Sequence, residues 1–433
     1  MILITGGRIL DPASRTDAIS DVLIDGDRVV RVAAGINAPD AEIINAAGSI
    51  VAPGFIDLHC HLREPGQEIS ETIETGTRAA VAGGFTAVCC MPNTQPVNDN
   101  AAVTRSIVDR AATAAHARVW PIGAASVGSK GEALAEIAGM QDAGIVAVSD
   151  DGRPIATAKL MRQVMEYCNS LGLPVIDHCE DHSLAAGGVM REGPRSIRLG
   201  LKGIPAASES ICVGRDVEVA AITGARLHIA HLSTRASLDY VRAAKAKGLA
   251  VTCEVTPHHF TLIDEDVVYD TAYKMNPPLA SRDDRAALLD GLADGTVDAI
   301  ATDHAPHHPA SKDVEFDRAP FGITGFETAI ALALCELVHT KRISLMRLVE
   351  LFTTGPARVL GIGKNGMDRK LAAGSPADIT IFSPEHKWTF SAADSASRSR
   401  NTPFDGREFR GAPMATIVAG RIVYRRPAAA ATA

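Results

Sequence analysis

From about residue 53 onward, short runs that are apolar throughout alternate with longer stretches in which apolar side chains recur every three or four positions. The runs are Phe55 to His59, Thr86 to Met91, Val119 to Ile122, Ile145 to Ser149, Pro174 to His178, Arg226 to His231, Ala250 to Val255 and Ala299 to Thr302. Between them lie Ser70 to Ala82, Ala101 to Ala115, Gly131 to Ala143, Lys159 to Leu171, Glu209 to Thr223, Ser233 to Lys247 and Arg282 to Asp294, each with a helical period. A strand without a polar face must be covered on both sides, and helices supply that cover. The chain is therefore an α/β protein. Eight such units predict a (β/α)8 TIM-type barrel, with a doubly wound open sheet as the alternative.

The two ends follow another pattern. Ile2 to Ile4, Ala18 to Ile24 and Val29 to Val32 read as short strands, with a tight turn at Asp25-Gly26-Asp27. After a late helical stretch from Leu345 to Leu360, the same texture returns at Ile379 to Phe382. A hairpin follows, with Ala415 to Val418 and Arg421 to Tyr424 flanking Ala419-Gly420. Neither end alone holds enough apolar surface for a core. Residues 1–52 and 370–426 are expected to form one small β-sandwich beside a barrel of residues 53–369. Pro427 to Ala433 are expected to fray.

Composition narrows the function. The chain has 433 residues, 46% of them hydrophobic, and a formal net charge of −8. It has no basic run and no apolar stretch of membrane-spanning length, so nucleic acid and membrane are not expected partners. The N-terminus lacks the basic start and cleavage site of a signal peptide, which makes the cytoplasm the expected location. Its eight cysteines show no CxxC pair and read as buried free thiols.

The apolar runs end in polar residues: His59-Cys60-His61, Asp150-Asp151, Asp177-His178, His228 to His231, and Thr302-Asp303-His304. His59 and His61 stand two apart on an extended chain, so they project to one side. Each strand end alone has an ordinary reading as a turn, a cap or a hydrogen-bonded core histidine. Five that offer metal-capable side chains to the face where barrel chemistry gathers point to metal. His59, His61, His178, His231, Asp303 and one of Asp150 or Asp151 are too many for one catalytic zinc, which takes about three protein ligands. They suit two ions bridged by a carboxylate, with zinc favoured by the histidines. Arg63, two residues beyond the metal pair, suits a substrate carboxylate. On spacing alone, Asn93 and Asn276 read equally well as turn residues beside prolines.

Pro53-Gly54-Phe55-Ile56-Asp57-Leu58-His59-Cys60-His61 resembles the first-strand signature of the amidohydrolase superfamily. His59-Cys60-His61-Leu62-Arg63-Glu64-Pro65-Gly66, Met91-Pro92-Asn93-Thr94, Met275-Asn276-Pro277-Pro278-Leu279, Ala301 to His307 and Asn401-Thr402-Pro403-Phe404 resemble the motifs of class I (bacterial-type) dihydroorotases. The resemblance implies an enzyme with two zinc ions per chain that interconverts N-carbamoyl-L-aspartate and L-dihydroorotate in pyrimidine biosynthesis. It puts His59, His61 and Asp303 on one ion and His178 and His231 on the other. Many relatives bridge the ions with a carbamylated lysine on strand four. Here that strand offers only aspartates, which matches an aspartate-bridged subgroup, and Asp151 is the expected bridge by its place in the motif.

Under this reading a hydroxide shared by the metals attacks the ring carbonyl, and Asp303 carries the proton as general acid and base. Arg63, Asn93, Asn276, His307, Phe321 and Gly322 are the expected substrate contacts, with Ala305 to Phe321 as a lid. His258 and His259 are expected to be structural. Hydantoinases and allantoinases share single motifs and are the nearest rivals; an uncharged hydantoin needs no arginine. A catalytically silent scaffold for aspartate transcarbamoylase is the rival from another class, and the full ligand set opposes it. A homodimer and association with aspartate transcarbamoylase are expected from the resemblance only.

Overall fold

The computed structural model describes residues 1–362 and 370–427. All eight apolar runs form strands: Phe55–Cys60, Phe85–Cys90, Arg118–Gly123, Ala147–Val148, Val175–Asp177, Leu227–Ile229, Val251–Val255 and Ala299–Ile300. They pair in parallel in chain order. The ladder closes where Cys60 bridges to His304, with the His61 N–H donating to the His304 carbonyl at 2.9 Å. Closure removes the open-sheet alternative and sets the ends of the first and last strands side by side.

Most helices match the periodic stretches, and the departures have local causes. The first begins at Ile73 rather than Ser70, because the Thr72 side chain caps it by accepting from the Thr75 N–H. The helix expected over Gly131 to Ala143 covers only Ile137–Ala143. Its front half turns back on the preceding strand end: the Val127 N–H donates to Ala133 O and the Ala135 N–H to Ala125 O. The stretch from Leu345 to Leu360 is two helices, Leu345–Phe352 and Thr354–Leu360, broken at Thr353 (φ −127°, ψ −84°). Besides the short helices His182–Ala185, Pro194–Leu199, Pro257–Thr261 and Pro309–Lys312, one longer helix was not foreseen. Phe326–Ala333, continued by a π-helical turn over Leu334–Val338, packs against the long strand Glu408–Val418 and is buried along almost its whole length. A helix covered on all sides shows no amphipathic period.

Both ends of the chain enter one mixed sheet. Ile2–Asp11 pairs with Thr16–Asp25, Glu42–Asn45 and Ile50–Pro53, and Ile50–Pro53 pairs antiparallel with Ile379–Thr389. Glu408–Val418 and Arg421–Arg425 extend it as the expected hairpin, turning at Ala419 and Gly420, both at positive φ. Ile4, Ile24, Val29, Ile379 and Ile417, from strands far apart in this order, share one core, so the sheet folds over on itself. Residues 363–369 and most of the segment expected to fray lie outside the described residues. Gly54 links sheet to barrel, and a Cβ there would sit 2.1 Å from Thr86 Oγ1. Among the described residues no helix is long and apolar enough to cross a membrane.

Candidate metal centre

The six expected ligands, His59, His61, Asp151, His178, His231 and Asp303, arrive at one point. Asp151 Oδ1 lies 3.3 Å from His59 Nε2, 3.6 Å from His178 Nδ1 and 3.8 Å from His231 Nε2. Its other oxygen is 3.6 Å from His61 Nε2. Asp303 Oδ1 lies 3.2 Å from His61 Nε2 and 3.6 Å from His59 Nε2. Two donor groups result, His59–His61–Asp151 and Asp151–His178–His231, and Asp151 belongs to both. Asp150 faces away: its carboxylate accepts from the Ala125 and Ser126 N–H groups at 2.9 and 3.1 Å and from the Ser126 hydroxyl.

The donor set fits metal. Asp151 and Asp303 are 5% exposed and Glu254 is fully buried, so three carboxylates and four imidazoles share a nearly dry space that needs compensating cations. Burial works against ionisation of Asp151 and Asp303, yet the surrounding imidazoles hold both carboxyls well below their usual range. Nε2 of His59 and Oδ1 of Asp151, which face each other at 3.3 Å, are buried without a hydrogen bond. Such orphaned lone pairs are rare in a folded interior and are what an inserted cation would satisfy. His231 and Asp303 also hold positive φ, 30° and 45°, a strained backbone that points their side chains inward.

Above these donors opens a cavity of about 220 Å³, lined by Arg63, Asn93, Asn276, His307, Phe321 and Gly322 together with all the donors except His59. Asn93 Oδ1 is 2.9 Å from His61 Nδ1, and its amide donates to Asp151 Oδ2 at 3.1 Å. Asn276 Nδ2 is 3.2 Å from His178 Nε2. Arg63 Nε donates to Pro306 O at 3.1 Å, and burial pulls the guanidinium down to about 10. His307 Nε2 donates to Phe321 O at 2.7 Å; burial and then Arg63 push its pKa down to about 3, which keeps the ring neutral.

His258 and His259 are buried outside the cavity lining, and His259 bridges Thr256 Oγ1 and Pro277 O. His304 sits 3.4 Å from Glu71, and His308 caps the short helix Pro309–Lys312 within the expected lid.

Three supporting residues were given no role in the sequence reading, although Asp57 and Asn401 stand inside motifs it names. Glu254 places Oε1 3.4 Å from His59 Nδ1 and Oε2 3.2 Å from His228 Nε2, orienting the His59 ring. Asp57 accepts from the Thr302 N–H at 2.7 Å and hydroxyl at 2.8 Å, fixing the chain just before Asp303. Asn401 donates to both Ala305 O and Gly322 O at 3.0 Å and ties the cavity rim to the terminal segment. For Asp57 and Glu254 the signal was present: each is a lone carboxylate inside an apolar strand, which burial permits only with a partner.

A family model described as dihydro-orotase-like matches residues 48–237. A dihydroorotase of Solibacter usitatus is 55% identical over 426 residues, 98% of each chain. One of Syntrophotalea carbinolica is 52% identical over 98% of this chain and 99% of that one. Among solved structures, L-hydantoinase (dihydropyrimidinase) from Arthrobacter aurescens superposes with a TM-score of 0.87 at 24% identity, covering 98% of this chain and 96% of that one. D-hydantoinase (dihydropyrimidinase) from a Thermus species superposes at 0.81 with 26% identity, covering 98% and 95%. These superpositions speak for the fold. The narrower assignment comes from the sequence relatives: with 55% identity to a dihydroorotase along nearly all of both chains, this chain belongs to the dihydroorotase family.

Proposed function

We propose that this protein is a zinc-dependent cyclic amide hydrolase that interconverts N-carbamoyl-L-aspartate and L-dihydroorotate, in the cytoplasm, as a step toward pyrimidine nucleotides. The observation that carries the reading is Asp151, whose two oxygens face histidines of both donor groups beneath a cavity that also holds Arg63. His59, His61 and Asp303 would hold one zinc ion, His178 and His231 a second, with Asp151 between them. Bound there, zinc supplies water acidified to near neutral pH and a polarised carbonyl.

The protein's own groups supply position and proton transfer. Arg63 pairs its fork with the substrate carboxylate, and Asn93 and Asn276 meet the neutral polar edges of the ring. The neutral His307 ring and the Phe321–Gly322 backbone close the other side. Asp303 takes the proton of the attacking water and passes it to the ring nitrogen that leaves as the amide bond breaks. In the closing direction it takes the proton of the carbamoyl nitrogen as that nitrogen attacks the side-chain carboxyl, and gives it to the carboxyl oxygen whose bond to carbon breaks and which leaves as water. Residues 53–369 form the catalytic unit and 1–52 with 370–426 its companion. A homodimer and association with aspartate transcarbamoylase belong to the same reading.

The test is hydrolysis of dihydroorotate by purified protein, with zinc content read on the same sample, beside hydantoin and allantoin. Turnover of dihydroorotate that is lost when a chelator strips the metal and returns when zinc is added back supports the proposal. The likeness in fold to hydantoinases makes hydantoin the informative rival, and a preference for it would sink the proposal.

A further inference from the structure

The strand that carries His178 has a second chemistry on its other side. Successive residues of a strand project to opposite faces. His178 points into the cavity, and Asp177 and Cys179 point outward, toward the helix Ala207–Thr223. From that helix Cys212 and Asp216, one turn apart, point back. All four side chains are buried, between 0 and 3% exposed, and one ligand atom from each lies within 4.8 Å of the others.

The separations are informative. Cys179 Sγ is 3.2 Å from Asp177 Oδ2 and 3.6 Å from Asp216 Oδ2; Cys212 Sγ is 3.8 Å and 3.6 Å from the same two oxygens. Zinc bonds of about 2.3 Å to sulfur and about 2.0 to 2.2 Å to oxygen imply edges of roughly 3.3 to 3.8 Å between ligands of a tetrahedron. Three of the four measured separations fall in that range, and the fourth, 3.2 Å between Cys179 Sγ and Asp177 Oδ2, lies just below it. Arg215 does not fill the space: its Nε and Nη2 engage Asp216 Oδ1 at 2.8 Å, on the other oxygen, and Nη2 lies 3.3 Å from Cys212 Sγ.

We propose that Asp177, Cys179, Cys212 and Asp216 form a structural site for a thiophilic divalent cation of the zinc type, separate from the strand-end centre. Such an ion clamps the fifth barrel strand to its covering helix directly behind His178. A closed four-ligand site with two thiolates, leaving no position for substrate, is structural in character.

The test is cobalt substitution of the full-length protein. Imidazole and carboxylate ligands give no thiolate-to-cobalt charge-transfer absorption in the near ultraviolet, so that band reports this cluster and not the centre above it. The expected result is the band in the wild type, its loss in Cys212→Ser, and one metal ion fewer per chain in that variant. Cys212 is chosen because it is remote in sequence from the histidines. Asp216→Asn, which keeps both thiols, should retain a weaker or shifted band and guards against a variant that merely misfolds. Absence of the band in cobalt-loaded wild type overturns the proposal, as does a band that survives Cys212→Ser or a disulfide joining Cys179 to Cys212. Dihydroorotate turnover with a two-metal centre can stand or fall independently of these outcomes.

Discussion

Asp151 and Asp303 face the cavity, whereas Asp57, Asp150 and Glu254 lie behind it among the same strands, and all five are buried. The hidden carboxylates have protein partners. Asp57 is held by Thr302, Asp150 by Ala125 and Ser126, and Glu254 by His228 and His59. Asp151 keeps an oxygen with no hydrogen bond, 3.3 Å from the equally unbonded Nε2 of His59. At this centre the carboxylates that the protein satisfies are architecture, and the one it leaves open is reserved for something the chain does not supply. The contrast is sharpest between neighbours, since Asp150 and Asp151 share a turn and belong to opposite classes.

Substitution can break this contrast. Asp151→Ala should have the largest effect, a loss of turnover on the order of 10⁴-fold together with bound metal, read by kinetics and metal analysis on one sample. Turnover that survives would place the shared carboxylate elsewhere. Asp303→Asn should lower kcat by about 10² to 10⁴-fold, the range for a lost proton carrier, and a change confined to KM would argue against that role. Arg63→Met should raise KM for dihydroorotate by roughly 10 to 100-fold, because a charge-assisted pair is lost. An equal loss with an uncharged cyclic amide would remove the carboxylate from the argument. Glu254→Gln should weaken metal binding by about 10 to 100-fold through the His59 ring, measured by competition with a chelator. Asp150→Asn should be mildest for function: metal content and turnover stay, and stability falls by about 1 to 3 kcal/mol in a denaturant melt. Metal loss from that variant would erase the distinction between the two classes.

The barrel was legible because strands buried on both faces leave unbroken apolar runs, as Phe85–Cys90 and Val251–Val255 do. What the pattern missed has physical reasons. Phe326–Ala333 has almost no solvent side, so its helical period is silent. Thr353 breaks a run whose periodicity is otherwise continuous. The centre was legible as residue types at strand ends, and the choice of Asp151 needed a motif, because two adjacent aspartates look alike until their hydrogen bonds are seen. The Cys179–Cys212 pairing was invisible: no short spacing marks it, and only the packing of helix on strand creates it.

The barrel closes by joining the first strand to the last, with Thr302 bound to Asp57 across 245 positions of chain. That closure has a consequence during synthesis. A chain emerging from the ribosome presents His59 and His61 long before Asp303 has been made, and at 5 to 20 residues per second the interval lasts roughly 12 to 50 seconds. Through that interval the early histidines lack their last partner, and any ion they catch is held by an incomplete set. A complete ligand set therefore requires a chain made at least as far as Asp303.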